Sequence, residues 1–404
     1  MYSREHMNTF VSGMVDTPSD CFVTYEPNSS TLNIEVRSKV QSMYGTSIND
    51  LAYQVCSDLS VDSGQFIIND YGALPFVIQA RIEAVVRQCN PKLQSRSLPD
   101  IKPHSLYPSS RKRFRRSRLY IPGNQSKLML NAGIHKPDAI ILDLEDSVAL
   151  TEKPSARLIV RNALRTLNFF DAERMVRINQ GDLGLTDLEE IIPHPVHLIL
   201  VPKVEYADQL KLVDNKISEL MHASGRTEPV FLMPILESAR GILNALSIAE
   251  ACPNTVALAI GLEDYTADIG TQRTVDGKES FFARSMIINA ARATGMQAID
   301  TVFSDVSDEV GLEQSVKEAK SLGFDGKGCI HPRQIRPIHE AFAPSPVEID
   351  KAKRIMIAFE DAQKKGLGVV SLGSKMIDPP VVKRAETTIK LAIDTGLLDM
   401  DWND

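Results

Sequence analysis

From Ser117 onward, short runs of mostly apolar, often β-branched residues recur eight times, each followed by a polar stretch with helical spacing. The runs are SRLYIPG, AIILDLED, MVRIN, HLILVPKV, VFLMPILES, VALAIGLED, QAIDTVFSD and GFDGKGCIHP. The more apolar of them are continuous rather than alternating, as strands covered on both faces are. Eight such strands separated by helices predict an α/β chain folded as a (β/α)8 TIM barrel. A doubly wound open sheet is the alternative, but no Gly-rich phosphate loop follows the first strand.

The chain has 404 residues, enough for one barrel and a small companion. Residues 91–115, closing on a run of Lys and Arg, hold four prolines and many serines and read as a solvated linker, with one or two arginines available for phosphate. Before it, residues 1–90 form a small α/β unit. CFVTYEP and TLNIEVRS alternate like half-buried strands, GQFIIND is a third strand, and INDLAYQVCSDL and GALPFVIQARIEAVVRQ have helical spacing. Residues 116–404 are assigned to the barrel. A formal net charge of −7 argues against a dedicated nucleic-acid binder. No apolar run is long enough to span a bilayer, the first residues lack a signal-peptide core, and the five cysteines form no CxxC pair. A soluble cytoplasmic protein with neither nucleic-acid nor membrane partners is expected.

In a barrel, side chains at the C-terminal ends of the strands converge on one mouth. The strand ends supply Asp143, Glu145 and Asp146, then Arg177, Lys203, Glu237, Glu263 with Asp264, Asp300 with Asp305, and His331. Asp146 and Asp305 are placed as caps of the helices that follow. The whole ring of carboxylates cannot be caps, and a divalent hard cation is the economical compensation. This predicts a magnesium-dependent enzyme acting on an anionic, oxygen-rich substrate, with Arg177 as a bidentate carboxylate clamp or, alternatively, an ion-pair partner of Asp143 or Glu145. Lys203 leaves a Schiff-base aldolase open, although a salt bridge to the mouth carboxylates is the simpler reading. His331 is read as a ligand, a base or a hydrogen-bonded structural histidine.

RSRLYIPG, DAIILDLEDSVALTEK, VRIN, ILESARGI, GLEDYTADIG, FDGKGCIHPRQI and GLGVVSLGSKMIDPPVVKRA, in this order, resemble the citrate lyase β subunit and its malyl-CoA and citramalyl-CoA lyase relatives, the HpcH/HpaI aldolase superfamily. The resemblance implies Glu237 and Asp264 as magnesium ligands, Glu237 also facing the substrate, and Arg177 as the group binding the substrate carboxylate. It implies Asp378 as the acid–base placed in a neighbouring subunit's site, hence a homo-oligomer such as a trimer or hexamer. Arg116 and Lys127 match basic positions that hold the CoA end. The implied reaction cleaves a 3-hydroxy-3-carboxyacyl thioester (citryl, citramalyl or malyl) to an acetyl-type thioester and a 2-oxo acid, with the enolate protonated by Asp378.

The N-terminal stretches SGMVDTPSDCFVTYEP and INDYGALPFVIQARIEAVV resemble the citrate lyase acyl carrier protein, the γ subunit. In that family a serine before the first strand carries a phosphoribosyl-dephospho-CoA arm. One alignment puts Thr17 there and another Pro18, with Ser19 beside it, and Ser19 is the position chosen here. The handle of the thioester is then either this arm or free CoA, and an α-type citrate lyase subunit becomes a candidate partner. A non-catalytic carrier or assembly protein is the rival outside enzymology, and the complete set Arg177, Glu237, Asp264 and Asp378 argues against it.

Overall fold

The computed structural model describes residues 9–27, 29–274, 276–364, 370–372 and 375–403. The first unit contains β1 (Phe10–Ser12), β2 (Cys21–Glu26), β3 (Leu32–Ser38), α1 (Gln41–Asp58), β4 (Gly64–Asp70) and α2 (Pro75–Cys89). Its sheet runs β1-β2-β4-β3, antiparallel except where β3 pairs with β4 across the α1 crossover. The three expected strands are present. The short β1, too brief to show a period, is an addition. Pro75 opens α2 at a position where its missing N–H costs nothing.

The second unit is the expected closed barrel of eight parallel strands. Strand β5 (Ser117–Pro122) leads to α3 (Ser126–Leu130), β6 (Ala139–Asp143) to α4 (Lys153–Thr166), and β7 (Glu173–Arg177) to α5 (Gly181–Ile191). Strand β8 (Leu198–Val201) leads to α6 (Ala207–Ser224), and β9 (Phe231–Leu236) to α7 (Ala239–Leu243) and α8 (Ala245–Ala249). Strand β10 (Ala257–Ile260) leads to α9 (Leu262–Asp268) and α10 (Phe281–Ala293), β11 (Gln297–Asp300) to α11 (Glu309–Leu322), and β12 (Gly326–Cys329) to α12 (Ile335–Phe342). After the barrel come α13 (Pro346–Lys364), the hairpin β13 (Val370–Leu372) and β14 (Lys375–Ile377), and α14 (Pro379–Asp394). The helices α13 and α14 pack on each other around Ile355, Val382, Ala385 and Ile389, a core separate from the barrel's. None of the described helices is long and apolar enough to cross a membrane.

Side-chain parity sorts the barrel strands into two cores. Ala139, Ile141, Met175, Leu198, Leu200, Met233, Ile235, Ala257, Ala259 and Ile299 fill the lumen, and the alternate residues pack under the helices. The same parity carries Asp143, Arg177 and Glu237 into the lumen's upper end. It turns Asp300 outward, where it meets Lys327 at 2.8 Å and Arg284 at 3.2 Å, so its place in the expected carboxylate ring is withdrawn.

Residues 91–115 are not a solvated linker. They run across the N-terminal end of the barrel and are stitched to it. Ser97 ties them to the N-terminal unit, donating to Asp58 of α1 at 2.8 Å, and on the barrel side the Tyr107 hydroxyl donates to the Ala172 carbonyl at 2.7 Å. Arg111 donates to the carbonyls of Thr255 and Pro253, Arg113 to that of Asp171, and the fully buried Arg115 grips Glu173 at 2.7 and 2.8 Å. The basic run satisfies backbone carbonyls at the barrel's base, a use that composition does not disclose.

His197, at this base, accepts the Arg174 backbone N–H on Nδ1 at 3.1 Å, and its Nε2 lies 2.8 Å from the Tyr107 carbonyl and 2.7 Å from the Arg174 guanidinium. Burial and Arg174 take its pKa down to about 3, and burial and Arg165 do the same for His194. A folded-state value below the unfolded one means stability that is complete above pH 6.5 and drains as pH falls towards 3. Each histidine then removes about 1.4 kcal/mol per pH unit below 6.5. Glu237, raised to about 8, acts in the opposite sense in this window, so the effect is read as a difference. Urea melts of wild type and His197→Gln between pH 6.5 and 5.5 are expected to differ in slope by about that amount, the variant being the less acid-sensitive. Equal slopes would refute a neutral buried His197.

The N-terminal unit is docked on the barrel. Phe76, Val77, Ala80 and Ala84 of α2 belong to the barrel's strand–helix core, on the side of α4. Buried charges frame that contact. Arg161 bonds Glu83 at 2.7 and 3.0 Å and Glu190 at 3.0 Å, and Glu190 also meets Arg87 at 2.9 Å and Arg96 at 3.2 Å. At the mouth end, Arg81 holds Asp20 at 2.6 Å and reaches Ser155 and Glu152 of the β6–α4 loop and first turn.

Candidate active site

The mouth is a cavity of about 390 Å³ lined by residues from seven of the eight strands or the loops after them, among them Tyr120, Asp143, Arg177, Glu237, Asp264 and Thr301. Glu237 follows β9, and its carboxylate is 5 % exposed at the residue level. Its Oε1 accepts the Lys203 backbone N–H at 2.8 Å. Its Oε2 lies against Gly261, where a Cβ would come within 2.3 Å, so only glycine leaves room for this carboxylate. Lys203 itself holds a left-handed φ of 51°, a conformation that aims its N–H at Glu237 and is uncommon for a side-chain-bearing residue. Burial and then the neighbouring Asp264 charge push the Glu237 carboxyl up to about 8. A carboxylate desolvated beside a second one is unfavourable until a cation arrives.

Arg177 is clamped before any substrate comes. Its Nε and Nη2 donate to the two oxygens of Asp143 at 2.6 and 2.7 Å, and Nη1 meets Glu145 at 2.9 Å. Burial opposes its charge, but Asp143 and Glu145 outweigh burial and raise its pKa. The Tyr120 ring lies 5.3 Å beneath the guanidinium. The ion-pair alternative is therefore realised in this structure, and it orients the group.

Lys203 Nζ stands 3.4 Å from Glu145, 3.7 Å from Asp146 and 3.7 Å from Asp264. Burial lowers its pKa, yet these carboxylates outweigh burial and raise it. The ammonium is thus kept charged, the opposite of what a Schiff-base nucleophile requires. Asp146 lines the mouth and caps nothing, because α4 begins only at Lys153. The cap of α11 is Asp308, which accepts the Gly311 N–H at 2.8 Å, while Asp305 closes a turn onto Ser307. His331 accepts the Arg333 N–H at 3.1 Å and caps the short 3₁₀ turn that follows, which is the structural reading.

Five carboxylates (Asp143, Glu145, Asp146, Glu237 and Asp264) thus meet two cations, Arg177 and Lys203, around the mouth. Among the described residues no three of His, Cys, Asp and Glu enclose a metal by themselves. Two carboxylates, with the remaining positions left to water and substrate oxygens, is how magnesium is ordinarily held, and Glu237 with Asp264 fits that usage.

Three expected residues lie elsewhere. Arg116 precedes β5 at the opposite end of the barrel, where it forms a bidentate pair with Asp138 at 2.8 and 2.9 Å; it cannot reach a CoA at the mouth. Asp378 caps α14, accepting the Val381 N–H at 3.1 Å, and is not among the residues lining this chain's mouth. Of its motif, residues 366–369 and 373–374 lie outside the described residues. Ser19 sits in a turn at φ 65°, and its carbonyl accepts the Ser126 hydroxyl at 2.6 Å. Lys127, the next residue of α3, is exposed at the mouth-side rim.

A parallel barrel whose mouth gathers excess carboxylates, a fixed guanidinium and a charged lysine has the makings of an enzyme of the TIM-barrel class. The HpcH/HpaI aldolase/citrate lyase family pattern matches residues 116–332, and the malonate decarboxylase delta subunit (MdcD) pattern, an acyl-carrier type, matches residues 7–89. The citrate lyase subunit beta of Leuconostoc mesenteroides subsp. cremoris is 40 % identical over 294 residues, covering 72 % of this chain and 97 % of that one. The mitochondrial citramalyl-CoA lyase of Homo sapiens is 35 % identical over 292 residues, covering 69 % and 85 %. The CitE protein of Mycobacterium tuberculosis, solved with magnesium, acetoacetate and coenzyme A, superposes with a TM-score of 0.58 at 32 % identity, covering 70 % of this chain and 99 % of that one. The chain belongs to the HpcH/HpaI aldolase/citrate lyase family.

Proposed function

We propose that this chain is a magnesium-dependent carbon–carbon lyase that cleaves a 3-hydroxy-3-carboxyacyl thioester to an acetyl-type thioester and a 2-oxo acid. The observation that carries this reading is Glu237, a buried carboxylate set against a glycine and beside Asp264, with the clamped Arg177 in the same cavity. The relatives named as citrate lyase and citramalyl-CoA lyase, and the relative holding magnesium and coenzyme A, support the bond class, the metal and the thioester.

Glu237 and Asp264 would hold the cation, which supplies positive charge to the oxygen that becomes the ketone. Arg177, fixed on one edge by Asp143, presents its remaining N–H groups to the substrate carboxylate and so aligns the carbon–carbon bond. Lys203 keeps Glu237 in place through its backbone and balances Glu145 and Asp146 through its ammonium. Asp378 gives the proton to the thioester's α-carbon from a neighbouring copy, which makes the enzyme a homo-oligomer. Residues 1–90, 91–115 and 116–404 act as carrier-like unit, strap and lyase.

The Asp16–Asp20 turn touches the barrel at Ser126 and, through Arg81, at Glu152. Both lie on mouth-side loops, so a thioester arm would enter over this rim, past Lys127. A docked unit favours free CoA as the handle over an arm on Ser19. Citryl, citramalyl and malyl thioesters, on CoA and on the carrier unit, should be assayed with and without chelator. Magnesium-dependent release of a 2-oxo acid is expected, with no covalent trapping by borohydride. Metal-independent cleavage with borohydride inactivation would instead establish the Lys203 route.

A further inference from the structure

We propose that Arg118 forms an anion subsite at the floor of the mouth and takes a second carboxylate on the oxo-acid half of the substrate. The inference rests on the lyase reading above and names the substrate class: thioesters whose cleavage releases a dicarboxylic 2-oxo acid. Pyruvate and glyoxylate lack the group that Arg118 would bind.

Arg118 lies on β5 with the parity of Tyr120, hence in the lumen, one layer below the ring that supports Arg177. It is 2 % exposed and lines the same cavity as Glu237 and Arg177. Among the described residues no carboxylate lies within 4.0 Å of its guanidinium. Its Nη1 reaches the Met233 thioether at 3.2 Å, a weak acceptor, its one oxygen neighbour is the uncharged Tyr120 hydroxyl, and its Nε has no partner. The contrast with the other fully buried arginines is chemical. Arg81, Arg115 and Arg161 each meet a carboxylate, at 2.6, 2.7 and 2.7 Å, and Arg174, which meets none, donates to the Ser105 and Tyr107 carbonyls at the barrel's base; Arg118 has neither kind of oxygen acceptor. A guanidinium stays charged in a protein, and burying one without a counter-charge is costly.

Filling the lumen does not require this arrangement. Barrel interiors are ordinarily packed with branched apolar side chains, and a leucine or methionine at position 118 would fill the space without burying a charge. Instead Ala139, Ala257 and Ala259 keep the surrounding layer small. The cavity therefore has a cation at the rim, fixed by Asp143, and a second cation at the floor that faces no carboxylate and keeps its Nε donor free. Two cations at two depths suit a substrate carrying two carboxylates on one side of the breaking bond.

The test compares wild type with Arg118→Met and Arg118→Lys. For Arg118→Met, kcat/KM on the citryl thioester is expected to fall about 100-fold further than on the citramalyl thioester, with Arg118→Lys recovering part of the margin. In parallel, oxaloacetate should bind the magnesium-loaded wild type about 100-fold more tightly than pyruvate, and the margin should collapse in Arg118→Met. Equal losses on both thioesters, or a wild type that binds pyruvate as well as oxaloacetate, would overturn the subsite. The binding measurement on wild type needs no folded variant. If no thioester is cleaved, the lyase reading fails on its own, and the oxaloacetate-to-pyruvate ratio still decides on Arg118.

Discussion

Glu237→Gln is expected to lower lyase turnover by about 10³-fold or more, because it removes the carboxylate proposed to hold the cation. The amide oxygen can still accept the Lys203 N–H, which the carboxylate receives at 2.8 Å, so the local backbone should hold. The metal-free variant should melt no lower than wild type. Glu237 is costly in the absence of a cation, buried and beside Asp264, and neutralising it relieves that cost. A variant equally inactive but markedly less stable would indicate a structural role. The same protein tests the intersubunit reading. Mixed and re-assembled with Asp378→Asn, itself inactive, it should recover up to about a quarter of wild-type sites, since an intact Glu237 and an intact Asp378 then meet at some interfaces. Mixtures that stay inactive would place Asp378 in its own chain's site, and an Asp378→Asn protein as active as wild type would place it outside catalysis.

Arg161→Met is expected to destabilise the protein by about 3–5 kcal/mol, the usual result of leaving buried carboxylates without their cation. Arg161 is fully buried and bonds Glu83 of the N-terminal unit and Glu190 of the barrel at once. The loss should appear as a lower urea midpoint and as earlier proteolysis within residues 91–115, where the strap depends on the same contact through Ser97 and Arg96. Replacing Glu83, Arg161 and Glu190 together by leucine should cost less, because the charges then left without partners, Arg87 and Arg96, are partly exposed and can turn to water. A single variant as stable as wild type would mean that the two units are not held together by this network.

The barrel was legible because parallel strands covered on both faces must be apolar throughout, as AIILD and LILV are. Asp143, Arg177, Glu237 and Asp264 could be read as a group because strand ends converge on one mouth. Asp300 was misplaced because position at a strand end says nothing about parity. Only the neighbours Ala298, packed under the helices, and Ile299, in the lumen, reveal which way it faces. Arg116 was misplaced for a related reason, since it precedes its strand and so belongs to the barrel's other end. Arg118 passed unremarked among five arginines between positions 111 and 118, although its alternation with Leu119 in a largely apolar strand was the available signal. The strap of residues 91–115 defeated composition altogether, because a proline- and arginine-rich segment looks solvated until its carbonyl partners are known.

The seating of the N-terminal unit fixes its working radius. A carrier on a slack tether samples many orientations and visits several enzymes in turn, and its encounter rate depends on tether length. This one lost that freedom when α2 joined the barrel's core. Whatever passes over the Asp16–Asp20 turn is delivered to one address at a rate independent of tether length. Any second protein that exchanges material with it must dock on the faces the barrel leaves exposed.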